Sequence, residues 1–564
     1  MAPTLYEWNA RGRIHDDRFF ELVHNFPTDY NLYLSKIRQG KEGAWLATEK
    51  YTSEPHAPSL SQELYVLIGR LADFSHVQTP YVWFAYHVAR VFFGALLLWV
   101  IWCVSKWAFP KSWKWSIATF LLIVTASTWP KFETVAGVPR LGGWMGWYTM
   151  SDSLQRTTFM PHVTFAQAIL VFIMWVLAGG FITKKLPGNY IFLGIVGLVL
   201  GIIFPPGLLF IYGVVGLVVV GELISLVIPK QSRIKKSDSR NKQGMTNIIK
   251  WFFQDGFGRI VFGVVSGPSL IYFMLLLQQY PWKRLAEFDV LHPTKFSYIE
   301  YFMAMGPTLP LAILGILLLI ALKKWDVLSR FRVFITWIGA WLFFIFLFNY
   351  IPQQSPTRFT QMETNVPLGI FTAYLFYELA TIVKKYIPNK KTSITAYYSV
   401  IIIPCIVIFF GLGTMSSTYM WLQDFVDHKL RATIPLVPSG AEVMYPMRDI
   451  IDGLTWLQIY TPRKDVVLTG MTTGNYTPVY AGNTAYVGHA NTVNLEDKLA
   501  IVDNFYQKHL SIDEEMTWLK ANINYVFYGP EEMAISGGVD DLRTLYPDLI
   551  EVFKNPSVQI YRVP

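Results

Sequence analysis

The stretch Val82–Ser105, VWFAYHVARVFFGALLLWVIWCVS, decides the fold. As a helix rising about 1.5 Å per residue it is long enough to cross a hydrocarbon core about 30 Å thick. Similar apolar runs recur at 113–129, 163–183, 188–204, 206–228, 258–279, 303–322, 332–350, 367–384 and 394–414. The two flanking Phe204-Pro205-Pro206-Gly207 read either as separate spans or as a kinked pair that does not fully cross. The chain of 564 residues is 52% hydrophobic and 15% charged, with 40 Phe, 31 Tyr and 20 Trp. That is the composition of a polytopic membrane protein. Its +9 formal charge does not point to nucleic acid, because the basic residues fall mainly between apolar runs. Cys103 and Cys405 lie inside apolar segments, and no Cys/His spacing suggests a metal.

Charge sets the orientation. One set of alternate short loops holds Lys106, Lys111, Lys114, Lys184, Lys185, seven Lys/Arg between 230 and 250, Lys323, Lys324, Arg330, Arg332, Lys384, Lys385, Lys390 and Lys391. The other holds only Lys131, Arg140, Arg156, Lys283, Arg284, Lys295 and Arg358. By the positive-inside rule the first set is cytoplasmic. Residues 1–80, the loops 130–162, 280–302 and 351–366, and the chain after 414 are then expected on the outer face.

The expected organisation is mainly α, in three parts. Residues 1–80 form an outer polar region with short amphipathic helices, carrying eight Lys/Arg against ten Asp/Glu. Residues 81–414 form a transmembrane bundle of about ten helices. Residues 415–564, with eleven Lys/Arg against eighteen Asp/Glu, form an extracytoplasmic α/β domain. In the first part Thr28 is expected to cap a helix carrying Tyr30, Tyr33, Leu34 and Ile37 on one face, stopped at Gly40. A second helix is expected over about Ser59 to Leu71. In the tail, helices at Met447–Tyr460 and Ile512–Lys520 lead into strands at Val466–Leu468 and Tyr525–Tyr528, with a last strand at Val558–Tyr561. That alternation predicts a small, largely parallel sheet. A polar segment of this length does not readily cross a membrane ahead of a first helix, so a further spanning helix is expected before it.

The residues able to carry chemistry are few. Asp29 opens the first polar helix, where by itself an acidic residue only favours the helix dipole, by about 0.3–1 kcal/mol. Asp16–Asp17 and Glu54 are rival carboxylates. His87 and Arg90 share one face of the first span, the two intramembrane ionisable positions singled out, and ionisable groups there face a cavity or snorkel to the interface. Arg156 with His162, and Arg358 with Gln361, sit at outer ends of spans, where a guanidinium suits a lipid phosphate. In the tail, Gly474-Asn475-Tyr476 and Tyr486-Val487-Gly488-His489 are candidates to border a pocket facing the membrane. No phosphate-binding glycine loop, GxSxG or HExxH is present, so nucleotide hydrolysis, serine hydrolysis and zinc chemistry find no support.

The segments DYNLYLSKIRQGKEGAW (29–45), YTSEPH (51–56), QQSPTRFTQMETNVPLG (353–369) and AGNTAYVGHANT (481–492) are similar to those of bacterial RgtA/B/C/D-like or YfhO-like members of the GT-C superfamily of membrane glycosyltransferases. The resemblance implies a helical GT-C bundle, a sugar moved from a polyprenyl-phosphate donor to a glycan, lipid or protein acceptor outside the membrane, and Asp29 as the acidic residue of the first outer loop. Arg358, with Arg90 or Arg156, would then hold the phosphate, and His87, His162, Glu54, Gln361 and His489 would contact substrate. The superfamily contains members with and without a divalent cation, and no metal-binding residues are assigned here. The alternatives are a transporter or flippase for lipid-linked glycans, and a catalytically inactive envelope-assembly protein.

Overall fold

A computed structural model describes residues 2–23, 27–74, 82–135, 137–145, 160–181, 187–227, 251–252, 256–351, 354–386, 390–431, 445–509 and 511–564. The fold is mainly helical with a small C-terminal sheet domain. It forms two compact units: Met1–Ala89, Leu275–Phe288 and Tyr419–Pro564 in the first, Arg90–Met274 and Asp289–Thr418 in the second. The sequence reading cut the chain at 80 and 414. Here the N-terminal polar region and the tail share one unit because they hydrogen-bond: the N–H of Phe19 donates to the Pro446 carbonyl at 2.8 Å, and the N–H of Ala485 to the Lys50 carbonyl at 2.9 Å.

Each of the ten apolar segments contains a helix. Among the described residues, Val82–Ala108, Pro205–Ser225, Phe257–Leu276 and Asn365–Tyr386 are long and apolar enough to cross a membrane. Tyr298–Ala304 and Thr308–Ala321 add a pair bent by 82°, and the remaining apolar helices are shorter. The protein is a multi-pass membrane protein.

In the second unit, glycine lets helices touch. Gly194, Gly197 and Gly201 form a stripe against 262–269, where a Cβ on Gly201 would stand 2.0 Å from Ser269 Oγ. Apolar area drives little association between helices in lipid, so such close approach supplies dispersion contact instead. Charges gather at helix ends. Glu222 accepts from both terminal nitrogens of Arg259, at 2.5 and 2.9 Å, and pairs with Arg332 at 2.8 Å. Lys324 pairs with Glu378 at 3.0 Å, and Arg330 lies over the Trp107 ring at 4.4 Å. Glu222, Arg259 and Glu378 are spanning-segment charges that the sequence reading passed over when it singled out His87 and Arg90. At the other ends, the N–H of Trp129 donates to the Met303 carbonyl at 2.9 Å and that of Thr294 to Ser355 Oγ at 3.3 Å. The basic cluster 230–250 lies outside the described residues. The hairpin of β1 (Lys131–Val135) and β2 (Val138–Gly142) also belongs to this unit.

In the first unit, helix Pro27–Lys41 packs on Glu63–Phe74 through facing glycines. A Cβ on Gly40 would stand 2.0 Å from the Val66 carbonyl oxygen, and one on Gly69 1.9 Å from that of Ile37. Gly40 is therefore a packing position and not the expected stop. The helix ends one residue further on, and Gly43, at φ 106°, closes it: the Gly43 N–H bonds the Gly40 carbonyl and the Ala44 N–H that of Gln39. Thr28 lies inside the helix, since Pro27 takes the first position, where its missing N–H costs nothing.

The tail folds on a five-stranded sheet of β3 (Val466–Leu468), β4 (Thr484–Ala485), β5 (Tyr525–Tyr528), β6 (Ile550–Lys554) and β7 (Gln559–Arg562), in the order β4-β3-β5-β7-β6. The first three neighbours are parallel, while β6 and β7 form an antiparallel hairpin paired to β5. The sheet is mixed, because the few residues joining β6 to β7 are too short for the crossover a parallel pair needs.

Candidate active site

The site grows from the first turn of helix Pro27–Lys41, which carries Asp29. Helices Pro27–Lys41, Glu63–Phe74 and the start of Val82–Ala108 are joined by rings: Tyr33 stacks on Tyr65 at 4.4 Å, and Tyr30 meets Tyr86 edge-on at 4.9 Å. The tail closes on the same turn. Asn31 Nδ2 donates to Asn475 Oδ1 at 2.7 Å, and Asn475 Nδ2 to the Gly488 carbonyl at 2.9 Å. Tyr51 Oη donates to the Asn475 carbonyl at 3.0 Å. Gly474 and Gly488 let these segments touch, since a Cβ on Gly488 would lie 2.5 Å from the Gly474 carbonyl carbon.

This scaffold brings two candidates together: His489 Nε2 lies 3.4 Å from Asp29 Oδ1. The N–H of Asn491 donates to His489 Nδ1 at 3.1 Å. Nδ1 is thus an acceptor, and in the neutral ring the proton sits on Nε2, facing the carboxylate. His489 is buried against Tyr51, ring centroids 5.4 Å apart, while 40% of the Asp29 side chain is exposed. The arrangement is a carboxylate open to a reactant on one side and oriented by a fixed imidazole on the other.

Behind it lies a buried frame. Lys36 Nζ donates to the Thr48 carbonyl at 2.7 Å and pairs with Glu49 at 3.4 Å, both side chains inaccessible. Burial pushes the Lys36 ammonium down, and Glu49 opposes that. Asn491 Nδ2 donates to Glu49 Oε2 at 3.3 Å, linking the frame to the His489 loop. Glu54 pairs with Lys498 at 2.7 Å. Burial raises the Glu54 carboxyl, but its bonds from Lys498 and Thr52 outweigh this and hold it below the usual range. Glu54 therefore pins the 52–54 segment to the tail. Asp17 Oδ1 faces His15 Nδ1 at 2.6 Å in an exposed pair.

His87 Nε2 contacts the Leu22 carbonyl at 2.5 Å and Tyr30 Oη at 3.3 Å, so it ties the spanning helix to the polar region beside Asp29. Arg90 is 2% exposed, so its side chain is packed within the protein. In the second unit, Arg358 grips Asp289 with two nitrogens, Nη2 to Oδ1 at 3.1 Å and Nε to Oδ2 at 3.3 Å, and Gln354 Nε2 donates to the same carboxylate at 2.6 Å. The guanidinium expected to meet phosphate thus has a protein carboxylate partner, with 40% of its side chain exposed. Gln361 is buried, its carbonyl accepting from Gln167 Nε2 at 3.1 Å. His162 stands in the first turn of Pro161–Leu177, and Arg156 lies outside the described residues. Among the described residues no cluster of His, Cys, Asp and Glu could hold a metal. Sequence reasoning missed Asn31, Tyr51, Asn491 and the Lys36–Glu49 pair. The one signal was the recurrence of Asn within two residues of Tyr or His in DYN, GNY and HAN.

No protein-family signature and no curated protein matches the chain. Solved structures do. The chain is similar over its full length to the archaeal oligosaccharyltransferase AglB from Archaeoglobus fulgidus in complex with an inhibitory peptide and a dolichol-phosphate, at 11% identity and a TM-score of 0.47, covering 74% of that chain. It is likewise similar to ArnT from Cupriavidus metallidurans, bound to undecaprenyl phosphate (11% identity, TM-score 0.47) and in the apo state (14%, 0.46), covering 96% of each.

Proposed function

We propose that the protein is an integral membrane glycosyltransferase that moves a sugar from a polyprenyl-phosphate donor to an acceptor hydroxyl on the outer side of the membrane. The observation that carries the reading is the Asp29–His489 contact, a half-exposed carboxylate oriented from a segment 460 residues away in the chain. Asp29 takes the proton of the acceptor hydroxyl as its oxygen attacks the anomeric carbon. The bond from that carbon to phosphate oxygen breaks, and its electron pair leaves with the lipid phosphate. Attack opposite the leaving group inverts the anomeric configuration. His489, by donating to Oδ1, leaves Oδ2 for the acceptor. Arg358, beside Asp289 in the second unit, keeps 40% of its side chain exposed and is the residue that the sequence resemblance assigns to a phosphate.

A lipid-linked donor needs no nucleotide site, in keeping with the missing glycine loops. The transporter alternative calls for charges deep in several spans. The spanning-segment charges Glu222, Arg259 and Glu378 are instead held in ion pairs, Glu222 with Arg259 and Arg332, and Glu378 with Lys324. The test is transfer of sugar from a prenyl-phosphate donor by purified protein carrying Asp29→Asn. Loss of transfer with donor binding retained supports the reading; unchanged transfer removes Asp29 from the chemistry.

A further inference from the structure

A cavity of about 420 Å³ lies in the first unit, apart from the residues given roles above. Its walls are aromatic. Trp8, Phe20 and Trp83 stand in a triangle with ring centroids 6.0, 6.1 and 6.2 Å apart. Phe84, 52% exposed, forms the lip. Two guanidiniums complete the lining, Arg11 and Arg448, both on exposed side chains. Arg11 lies over the Trp8 ring at 4.3 Å and donates from Nη1 to the Trp8 carbonyl at 2.9 Å. Arg448 donates from Nε to the Arg18 carbonyl at 3.0 Å.

Each guanidinium is thus aimed by a neutral carbonyl. Among the described residues neither forms an ion pair, and Asp452 feels Arg448 only through space. Two cations to which the described residues supply no carboxylate partner, on one aromatic cavity, make an anion site with an apolar floor. Its depth follows from the chain: Trp83 and Phe84 occupy the first turn of the spanning helix Val82–Ala108, where Trp and Arg meet lipid head groups. Phe84 and Val88, four residues apart and 52% and 51% exposed, continue the lip along one helix face toward the hydrocarbon.

We propose that this cavity holds the phosphodiester head of an anionic glycerophospholipid of the bilayer. The phosphate lies between Arg11 and Arg448, the glyceryl esters rest against Trp8, Phe20 and Trp83, and one chain descends past Phe84 and Val88. A glycerophospholipid fits better than free phosphate because most of the lining is aromatic. It fits better than the sugar donor because none of the lining residues hydrogen-bonds Asp29 or His489.

The experiment is native mass spectrometry of the full chain released from detergent, with phosphatidylglycerol, phosphatidylcholine, polyprenyl phosphate or inorganic phosphate added separately. The wild type is expected to keep phosphatidylglycerol over phosphatidylcholine. Retention should fall about tenfold or more in Arg11→Gln/Arg448→Gln, with polyprenyl phosphate binding unchanged. Phe84→Ser, which leaves both charges in place, should weaken retention severalfold and keeps the test alive if the double variant misfolds. Equal retention by wild type and the double variant, or by wild type and Phe84→Ser, overturns the proposal. So does displacement of phosphatidylglycerol by millimolar inorganic phosphate, or loss of polyprenyl phosphate alone in the double variant.

Discussion

The two units solve burial in opposite ways. The first hides charges and amides: Lys36 with Glu49, Lys429 with Glu7 at 2.7 Å, and Arg38 Nη1 on the Val479 carbonyl at 2.7 Å. The second packs helices through small residues and moves its ion pairs to helix ends. In water a unit gains about 25 cal/mol for each Å² of apolar surface buried, and can spend some of that on a polar network that fixes geometry. In lipid that gain is missing, so close approach must supply the attraction. A polar deletion should therefore disturb the first unit most, and added volume the second, except where the first also relies on facing glycines.

The largest expected effect concerns chemistry. Asp29→Asn should lower transfer about 10²–10⁴-fold with little change in the melting profile, and His489→Gln should lower it less while shifting the pH dependence of turnover. Full activity in Asp29→Asn would detach the buried amide network from function. Next, Gly69→Val forces a side chain into the Ile37 carbonyl, so the first unit should lose about 3 kcal/mol or fail to fold, read by thermal denaturation.

A smaller effect is pH-dependent. Burial pushes the Glu21 carboxyl up to about 7, with the Tyr480 hydroxyl donating to it. A carboxyl raised on folding binds its proton more tightly in the folded state, so its contribution is full below the unfolded value of about 4.3 and is lost as pH rises through about 7. Stability of the first unit should therefore fall between about pH 4.3 and 7, and Glu21→Gln should flatten that slope by about 3 kcal/mol. A slope that steepens in the variant would show that another group governs it. The smallest effect sharpens the contrast in the second unit. Gly216 faces open space, so Gly216→Ala should be neutral or stabilise by up to about 1 kcal/mol, whereas Gly201→Ala meets Ser269 and should destabilise.

Much of this was legible along the chain. Apolar runs of spanning length announced ten helices because lipid demands that every backbone polar group be satisfied within its own segment. The tail's helices and its strands at 466–468, 525–528 and 559–562 fell close to where alternation put them. β6, IEVFK, escaped because its alternation ends in charged and half-exposed positions. Gly40 was misread because a glycine that ends a helix and one that admits a neighbouring carbonyl look the same in one dimension.

The sequence by itself determined which segments are apolar and which polar, hence the helices and the acidic tail, since hydrophobicity and charge are read residue by residue. Only the tertiary structure decided that Asp29 faces His489, that Arg358 answers to Asp289, and that Arg11 and Arg448 share an aromatic cavity. Those are relations between distant parts of the chain. They arise when buried amides and carboxylates must find partners, and no local pattern records which partner each one finds.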